Sequence, residues 1–308
     1  AAACTGGTSP SPIAPPSRAA SPSAAASPSA PPSTAPSSSP SPSVVATVPT
    51  DQLIFPGKLV VCSDIPYPPQ VFFDAQGNPT GADVEIAQEL ATRLGLTLQV
   101  ENSVFDTIIP ALVSGKCDII VSEQNITADR LKQVNMIPYY KAGQSFVVAK
   151  GNPAGIKTTD DLCGKSVAAE TGTTEVDYLN GTGDYKGRGL SKACTNKGKR
   201  AINVKEFQKD SDALLALQSG QVDAYFADSP VAGYYTVQHS DQFELSPIPP
   251  LDPALEGISV VKTKTALQEA VKAALVSMMQ DGTYLKILKK YGIESGAITP
   301  EEVTIHSS

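Results

Sequence analysis

The sequence predicts an α/β fold in two lobes, and three observations carry that prediction. From residue 53 onward, short β-branched and apolar runs alternate with stripes of helical period, the texture of strands layered with helices. After Tyr139-Tyr140 this alternation starts afresh, and near residues 245 to 262 the chain crosses back, so that one lobe is inserted in the other. Residues 1–52 share none of this texture and stand apart as a tail. Two lobes joined by two crossings make a hinge with a cleft.

In chain order, residues 58–62 read as a buried strand. Residues 81–95 carry apolar side chains at 84, 87, 90, 91 and 94, a helical stripe closed by Gly95 as C-cap. Residues 96–100 form the next strand, 108–114 a short helix, 118–122 a third strand and 127–134 the start of another helix, so the first lobe opens βαβαβ. In the second lobe, strands at 145–149 and 166–169 precede a helix beginning near Thr173. A strand at 202–207, a helix at 210–219 and a strand at 224–227 that ends on Asp228 complete it. Residues 267–279 and 284–291 are amphipathic and return as helices to the first lobe. Residues 53–144 with 252–308 are therefore expected as lobe 1, and 145–251 as lobe 2.

The tail has a different logic. Residues 5–50 are almost all Ser, Pro, Ala and Thr, with Arg18 the only charge and 12 of the chain's 26 prolines. Such a segment has too little apolar side chain to offset its backbone entropy, and a disordered, extended linker is expected. Ahead of it, Ala1-Ala2-Ala3-Cys4-Thr5-Gly6-Gly7 looks like the end of a bacterial lipoprotein signal peptide, with Cys4 the residue that would carry the lipid. That resemblance implies an exported protein, anchored to the outer face of the bacterial cytoplasmic membrane.

Composition excludes several classes. A net charge of −7 and a pI near 5.0 leave no basic field for a phosphate backbone, so nucleic acid is not expected as a partner. His239 and His306 stand far apart without Cys or carboxylates at ligand spacing, so neither a metal centre nor a His-dependent triad is expected, and no cofactor is. The remaining cysteines, Cys62, Cys117, Cys163 and Cys194, are an even set in a chain read as exported. Three pairings are possible, and pairing within each half gives Cys62 with Cys117 and Cys163 with Cys194.

The motifs carry a family resemblance. Gly81-Ala82-Asp83-Val84-Glu85-Ile86-Ala87, the run from Phe105 to Asp118, Thr127-Ala128-Asp129-Arg130 and Pro138-Tyr139-Tyr140 are similar to the polar amino-acid-binding family of extracytoplasmic solute-binding proteins. The second lobe continues with Asp161-Leu162-Cys163-Gly164-Lys165, Gly172-Thr173-Thr174, Gly220-Gln221-Val222-Asp223-Ala224 and Asp228-Ser229-Pro230, and the close agrees at Asp281-Gly282-Thr283-Tyr284. The resemblance covers roughly residues 53 to 293. It implies a periplasmic-binding-protein-like fold, a monomer that captures a small solute, and an ABC permease as partner.

It also implies roles. Arg130 is placed to clamp a ligand α-carboxylate with its planar fork, Thr173 and Thr174 to meet that carboxylate from the opposite lobe, and Asp228 to accept the α-ammonium. Tyr67 and Phe105 match positions that sandwich the ligand side chain, with Asp64 one short loop earlier. Ser122 to Ile126 depart from the family pattern, with Glu123 where a small residue is common and Asn125 where Thr or Ser is usual. Glu170 stands two residues before Gly172 across the cleft. A neutral amino acid needs one cation and one anion, which Arg130 and Asp228 supply, so Asp64, Glu123 and Glu170 are surplus. That surplus favours a cationic amino acid of the arginine, lysine or ornithine type, the alternative being a polar neutral amino acid or a quaternary amine. Some dehydratases and peptidoglycan-cleaving enzymes share the scaffold, but no nucleophile–base pair is legible, and a binding protein rather than an enzyme is expected.

Overall fold

The computed structural model describes residues 44–308. The Ser/Pro/Ala segment and Cys4 lie outside the described residues. The chain begins its regular structure with β1 (Lys58–Ser63), a small hairpin of β2 (Phe72–Phe73) and β3 (Pro79–Thr80), and α1 (Ala82–Arg93). Then follow β4 (Thr97–Asn102), α2 (Ile108–Val113), β5 (Ile119–Ile120) and α3 (Ala128–Leu131). A 16-residue strand, β6 (Val134–Ala149), leads into β7 (Ser166–Glu170), α4 (Thr174–Asn180), α5 (Leu190–Asn196) and β8 (Asn203–Phe207). After α6 (Asp210–Gln218), β9 (Ala224–Asp228), α7 (Ser229–Gln238) and β10 (Phe243–Leu245), the chain returns along β11 (Leu251–Val261) to α8 (Thr265–Gln280) and α9 (Thr283–Tyr291).

Among the described residues, nine strands make one sheet in the order β4-β1-β5-β11-β6-β9-β7-β8, with β10 also on β6. The outer strands of each half pair in parallel, β1 with β4 and β5, and β7 with β8 and β9, as βαβ units require. The antiparallel pair β6–β11 runs between the halves and forms the two crossings. In lobe 1, α1, α8 and α9 bury Ile86, Leu90, Val271, Leu275 and Leu288 on one face of the sheet, while Ile108 and Leu112 cover the other beside Val60 and Ile120. In lobe 2 the Phe146 and Phe226 rings stack with centroids 4.0 Å apart at the centre of a second core.

Two expectations are corrected. The helix anticipated over 127–134 is only the single turn of α3, and β6 then runs unbroken where a strand was expected only from residue 145. Pro138 and Gly143 disguise it in the sequence, since both ordinarily interrupt strands. Here Pro138 faces Gly257 beside a register shift in the β6–β11 ladder, where a missing N–H donor costs little, and Gly143 lies under the Leu251 carbonyl, 3.0 Å from where a Cβ would stand. The tail also ends earlier than residue 52: the Val45 amide donates to the Arg93 carbonyl at 2.9 Å, and Val48 and Leu53 are buried in the lobe 1 core. Those apolar side chains separate 44–52 from the Ser/Pro run before it. The structure joins Cys62 to Cys117 and Cys163 to Cys194, with Cα–Cα separations of 5.7 and 5.5 Å.

Candidate functional site

All eleven cleft residues named from the sequence line one narrow cavity where the lobes meet. From lobe 1, the loop after β1 carries Asp64 and Tyr67, and the loop after β5 carries Ser122, Glu123 and Asn125, with Phe105 and Arg130 close by. The β1 loop is held in place by the Asp64 amide, which donates to Ser122 Oγ at 3.0 Å, and by the Ile65 amide, which donates to Asn102 Oδ1 at 3.2 Å. Lobe 2 supplies Glu170 at the end of β7, Thr173 and Thr174 at the start of α4, and Asp228 at the end of β9. These are carboxyl ends of parallel strands, where open α/β sheets place ligands.

Arg130 sits at the mouth of the short α3 helix, capped by Thr127, whose hydroxyl accepts from the Arg130 amide at 3.2 Å. Its guanidinium donates to the Asn125 carbonyl at 2.8 Å and to the Gly172 carbonyl of lobe 2 at 3.3 Å. It also lies over the Phe105 ring, 5.3 Å from the centroid, so this ring is engaged by a protein cation before any ligand side chain reaches it. Thr174 ties the lobes together: its hydroxyl donates to Asn125 Oδ1 at 2.6 Å while accepting from Gln144 Nε2 at 2.7 Å. Gly172 has φ +83°, and a Cβ there would stand 2.8 Å from the Asp106 Cα of lobe 1, so only glycine allows this approach.

The electrostatics are dominated by carboxyl groups. Asp64 accepts from the Phe105 amide at 3.0 Å and lies close to Glu170, which accepts from the Asp210 amide at 3.1 Å. Burial, then the proximity of Asp64 and Asp210, pushes Glu170 up to about 11. Burial likewise raises Asp64, with the Glu170 and Phe105 bonds opposing. Asp228 and Glu123 are pushed well above the usual carboxylate range, first by burial and then by neighbouring carboxylates, Glu175 for the former and Glu256 for the latter. Burial also holds Arg130 below its ordinary value.

Two acidic residues escaped the sequence reading. Glu175 lines the same cavity, is buried, and is pushed up to about 7 by its burial. It directly follows Gly172-Thr173-Thr174, and its place in the first turn of α4 was the available signal. Glu256, fully buried on β11, stands at the head of the apolar run Gly257-Ile258-Ser259-Val260-Val261, a lone charge entering a buried strand. Oxygens of Glu123, Asp228 and Glu256 all lie within 4.8 Å of one another, and among the described residues this trio is the group able to hold a cation.

The model of the family described as bacterial extracellular solute-binding proteins, family 3, matches residues 59–294. The ABC transporter arginine-binding protein 1 of Escherichia coli (strain K12) is 29% identical over 72% of this chain and 85% of its own. The ABC transporter glutamine-binding protein GlnH of Bacillus subtilis (strain 168) is 32% identical over 70% of this chain and 74% of its own. Among solved structures, an ancestral arginine-binding protein bound to arginine is 35% identical, covers 77% of this chain and 98% of its own, and superposes with a TM-score of 0.68.

Proposed function

From the premise that this chain belongs to family 3 of the bacterial extracellular solute-binding proteins, we propose that it captures a cationic amino acid of the arginine, lysine or ornithine type for an ABC importer. The observation that carries this reading is the charge around the cavity: Asp64, Glu123, Glu170, Glu175 and Asp228 line it with Glu256 behind, against one guanidinium, that of Arg130. A buried carboxylate without a partner costs several kcal/mol or must take up a proton. A ligand bringing two cations and one carboxylate relieves more of that cost than a neutral amino acid does.

In this reading Arg130 with Thr173 and Thr174 takes the α-carboxylate, Asp228 takes the α-ammonium, and the side-chain cation lies toward Tyr67 and the Asp64–Glu170 pair. Residues 53–144 with 252–308 act as one lobe and 145–251 as the other. Because the ligand touches both, its binding energy closes the hinge. The cleft binds and does not transform its ligand, and the protein works as a monomer held to the membrane by a lipid on Cys4.

Calorimetric titration with the twenty common amino acids, ornithine, putrescine and glycine betaine tests the ligand class. The expected outcome is tightest binding of a basic amino acid, recovered chemically unchanged. Tightest binding of glutamine, as the name of the Bacillus subtilis relative suggests, would replace the cationic reading with the polar neutral one. Arg130→Ala and Asp228→Asn should each cost about 2 to 5 kcal/mol of affinity, the range for removing one partner of a desolvated charge pair. Expressed behind a bacterial lipoprotein signal peptide, the protein should partition into detergent, and Cys4→Ala should release it to the aqueous phase.

A further inference from the structure

We propose that Glu256 joins Glu123 and Asp228 in a three-carboxyl cage for a primary ammonium, the α-ammonium of the bound amino acid, and that this cage selects primary amines over N-alkylated ones. The inference rests on the amino-acid reading of the cleft and adds to it a residue on the hinge strand.

Geometry comes first. A primary ammonium offers three N–H donors in tetrahedral directions. Charge-assisted bonds of about 2.8 Å then call for three acceptors about 4.6 Å apart. The oxygens of Glu123, Asp228 and Glu256 lie within 4.8 Å of one another. Each comes from a different part of the molecule: the loop after β5 in lobe 1, the end of β9 in lobe 2, and β11 between them.

The acceptors are ready for a donor-rich guest. Glu123 Oε2 and both carboxyl oxygens of Glu256 have no hydrogen-bond partner among the described residues, all three side chains of the trio are buried, and the Asp228 carboxyl faces that of Glu175. Gln70, which is no part of the trio and is only 1% exposed, turns its amide onto it: Nε2 donates to Glu123 Oε1 at 2.8 Å, while Oε1 of the same amide is also unpartnered. Buried acceptors without donors are costly, and three on Glu123 and Glu256 plus the amide oxygen of Gln70 are what a cation with several N–H groups would satisfy. Arg130 does not do so, since its donors go to the Asn125 and Gly172 carbonyls.

The backbone is shaped to hold this arrangement. The β6–β11 register shifts between Glu256 and Gly257, with Tyr139 the extra residue on β6 opposite them. Asn125 bridges to Glu256, and the Gly257 amide donates to the Gln124 carbonyl at 2.8 Å, locking the β5 loop against the bulge. Glu123 has φ +45°, a left-handed conformation that a non-glycine residue holds only under strain, and its amide donates to the Tyr139 hydroxyl at 3.0 Å. The charged and titratable groups near the trio are Asp83, Glu175, Arg130, Tyr67, Tyr139 and Tyr140. Three carboxyls this close cannot all ionise without a cation, so seating an ammonium draws protons out of the cage.

The test uses L-arginine, whose only primary ammonium is the α-ammonium, with its Nα-methyl and Nα,Nα-dimethyl derivatives, and L-glutamine with its Nα-methyl derivative as a second series. Wild type should bind L-arginine, lose affinity with each added methyl, and release protons on binding, measured by calorimetry in buffers of different ionisation enthalpy. Glu256→Gln should weaken binding about 10- to 100-fold, the value of a hydrogen bond to a charged group. It should also release fewer protons and respond less to methylation. If the variant does not fold by circular dichroism, the methyl series on wild type decides alone: stepwise loss supports the cage and equal affinity overturns it. Wild-type affinity for L-arginine matched by folded Glu256→Gln overturns the cage while leaving the amino-acid reading intact. Calcium binding that Glu256→Gln abolishes with L-arginine affinity unchanged overturns it in favour of a metal site. Binding of glutamine but not arginine removes the cationic side-chain reading, and the glutamine series then tests the cage. Binding of neither removes both.

Discussion

Tyr67 and Asp228, one from each lobe, exchange two hydrogen bonds across the cleft: the Tyr67 hydroxyl donates to Asp228 Oδ2 at 3.0 Å and accepts from the Asp228 amide at 3.1 Å. The carboxylate read as the ammonium acceptor is thus already tied to the opposite lobe by a neutral donor. A buried hydrogen bond of this kind contributes about 0.5 to 1.5 kcal/mol. Tyr67→Phe should therefore loosen the ligand-free protein, seen as a larger radius of gyration by X-ray scattering, with little change in the compact ligand-bound form. An unchanged ligand-free radius would show that other contacts hold the lobes together.

Gly172 supplies a second test of the lobe contact. Alanine at φ +83° costs about 1–2 kcal/mol of backbone strain and also drives its Cβ into Asp106 of lobe 1. The clash exists only when the lobes meet, so Gly172→Ala should lower ligand affinity by more than tenfold while moving the ligand-free melting temperature by only a few degrees. A ligand affinity equal to wild type would show that the lobes do not close this far on binding.

Stability should depend on pH through carboxyl groups buried within single lobes. Asp83, bonded by the Tyr139 hydroxyl at 2.8 Å, and Asp210, bonded by the Tyr225 and Tyr235 hydroxyls, are each pushed up to about 7, chiefly by burial. Unfolded, both titrate near 3.8, so between that value and 7 the folded protein holds protons that the unfolded chain has released. Stability from these groups is fully present below 3.8 and is lost as pH rises through the folded value of about 7. The ligand-free protein should accordingly melt at a higher temperature at pH 5.5 than at pH 8, and Asp83→Asn with Asp210→Asn should flatten that difference. A pH profile unaltered by the double substitution would exclude these groups as its source.

The two disulfides should differ in how readily they are reduced. Cys62 and Cys117 are both buried in lobe 1, whereas Cys163 is partly exposed and only Cys194 is covered. A thiolate must reach a sulfur to attack it. Mild reductant acting on the native protein, followed by alkylation and peptide mapping, should label Cys163 and Cys194 before Cys62 and Cys117. Removing either bridge should cost about 2–4 kcal/mol of stability.

Much of this molecule was legible before any coordinates. Local chemistry wrote the helices plainly: the stripe of α1 closes at Gly95, whose φ is +68°, and α7 begins at Asp228-Ser229-Pro230. Cysteine pairing within each half also followed from where the cysteines fall, and the surplus of acidic residues showed once the resemblance had aligned the cleft positions. These features depend on residues near one another in the chain or on a matched motif, which is the information a sequence carries directly.

Tertiary structure alone decided three matters. It joined residues 134–149 into one strand, because Pro138 and Gly143 are tolerated only where β11 shifts register opposite the first and passes close over the second. It brought Glu256 beside Glu123 and Asp228 across separations of more than a hundred residues in the chain for the first and more than twenty for the second. And it set the carboxyl groups of Asp64 and Glu170 against each other from opposite lobes, both raised chiefly by burial. Each of these depends on register and side-chain direction between segments that meet only after folding. No local periodicity encodes them, because the free energy that selects them belongs to the contact between the segments.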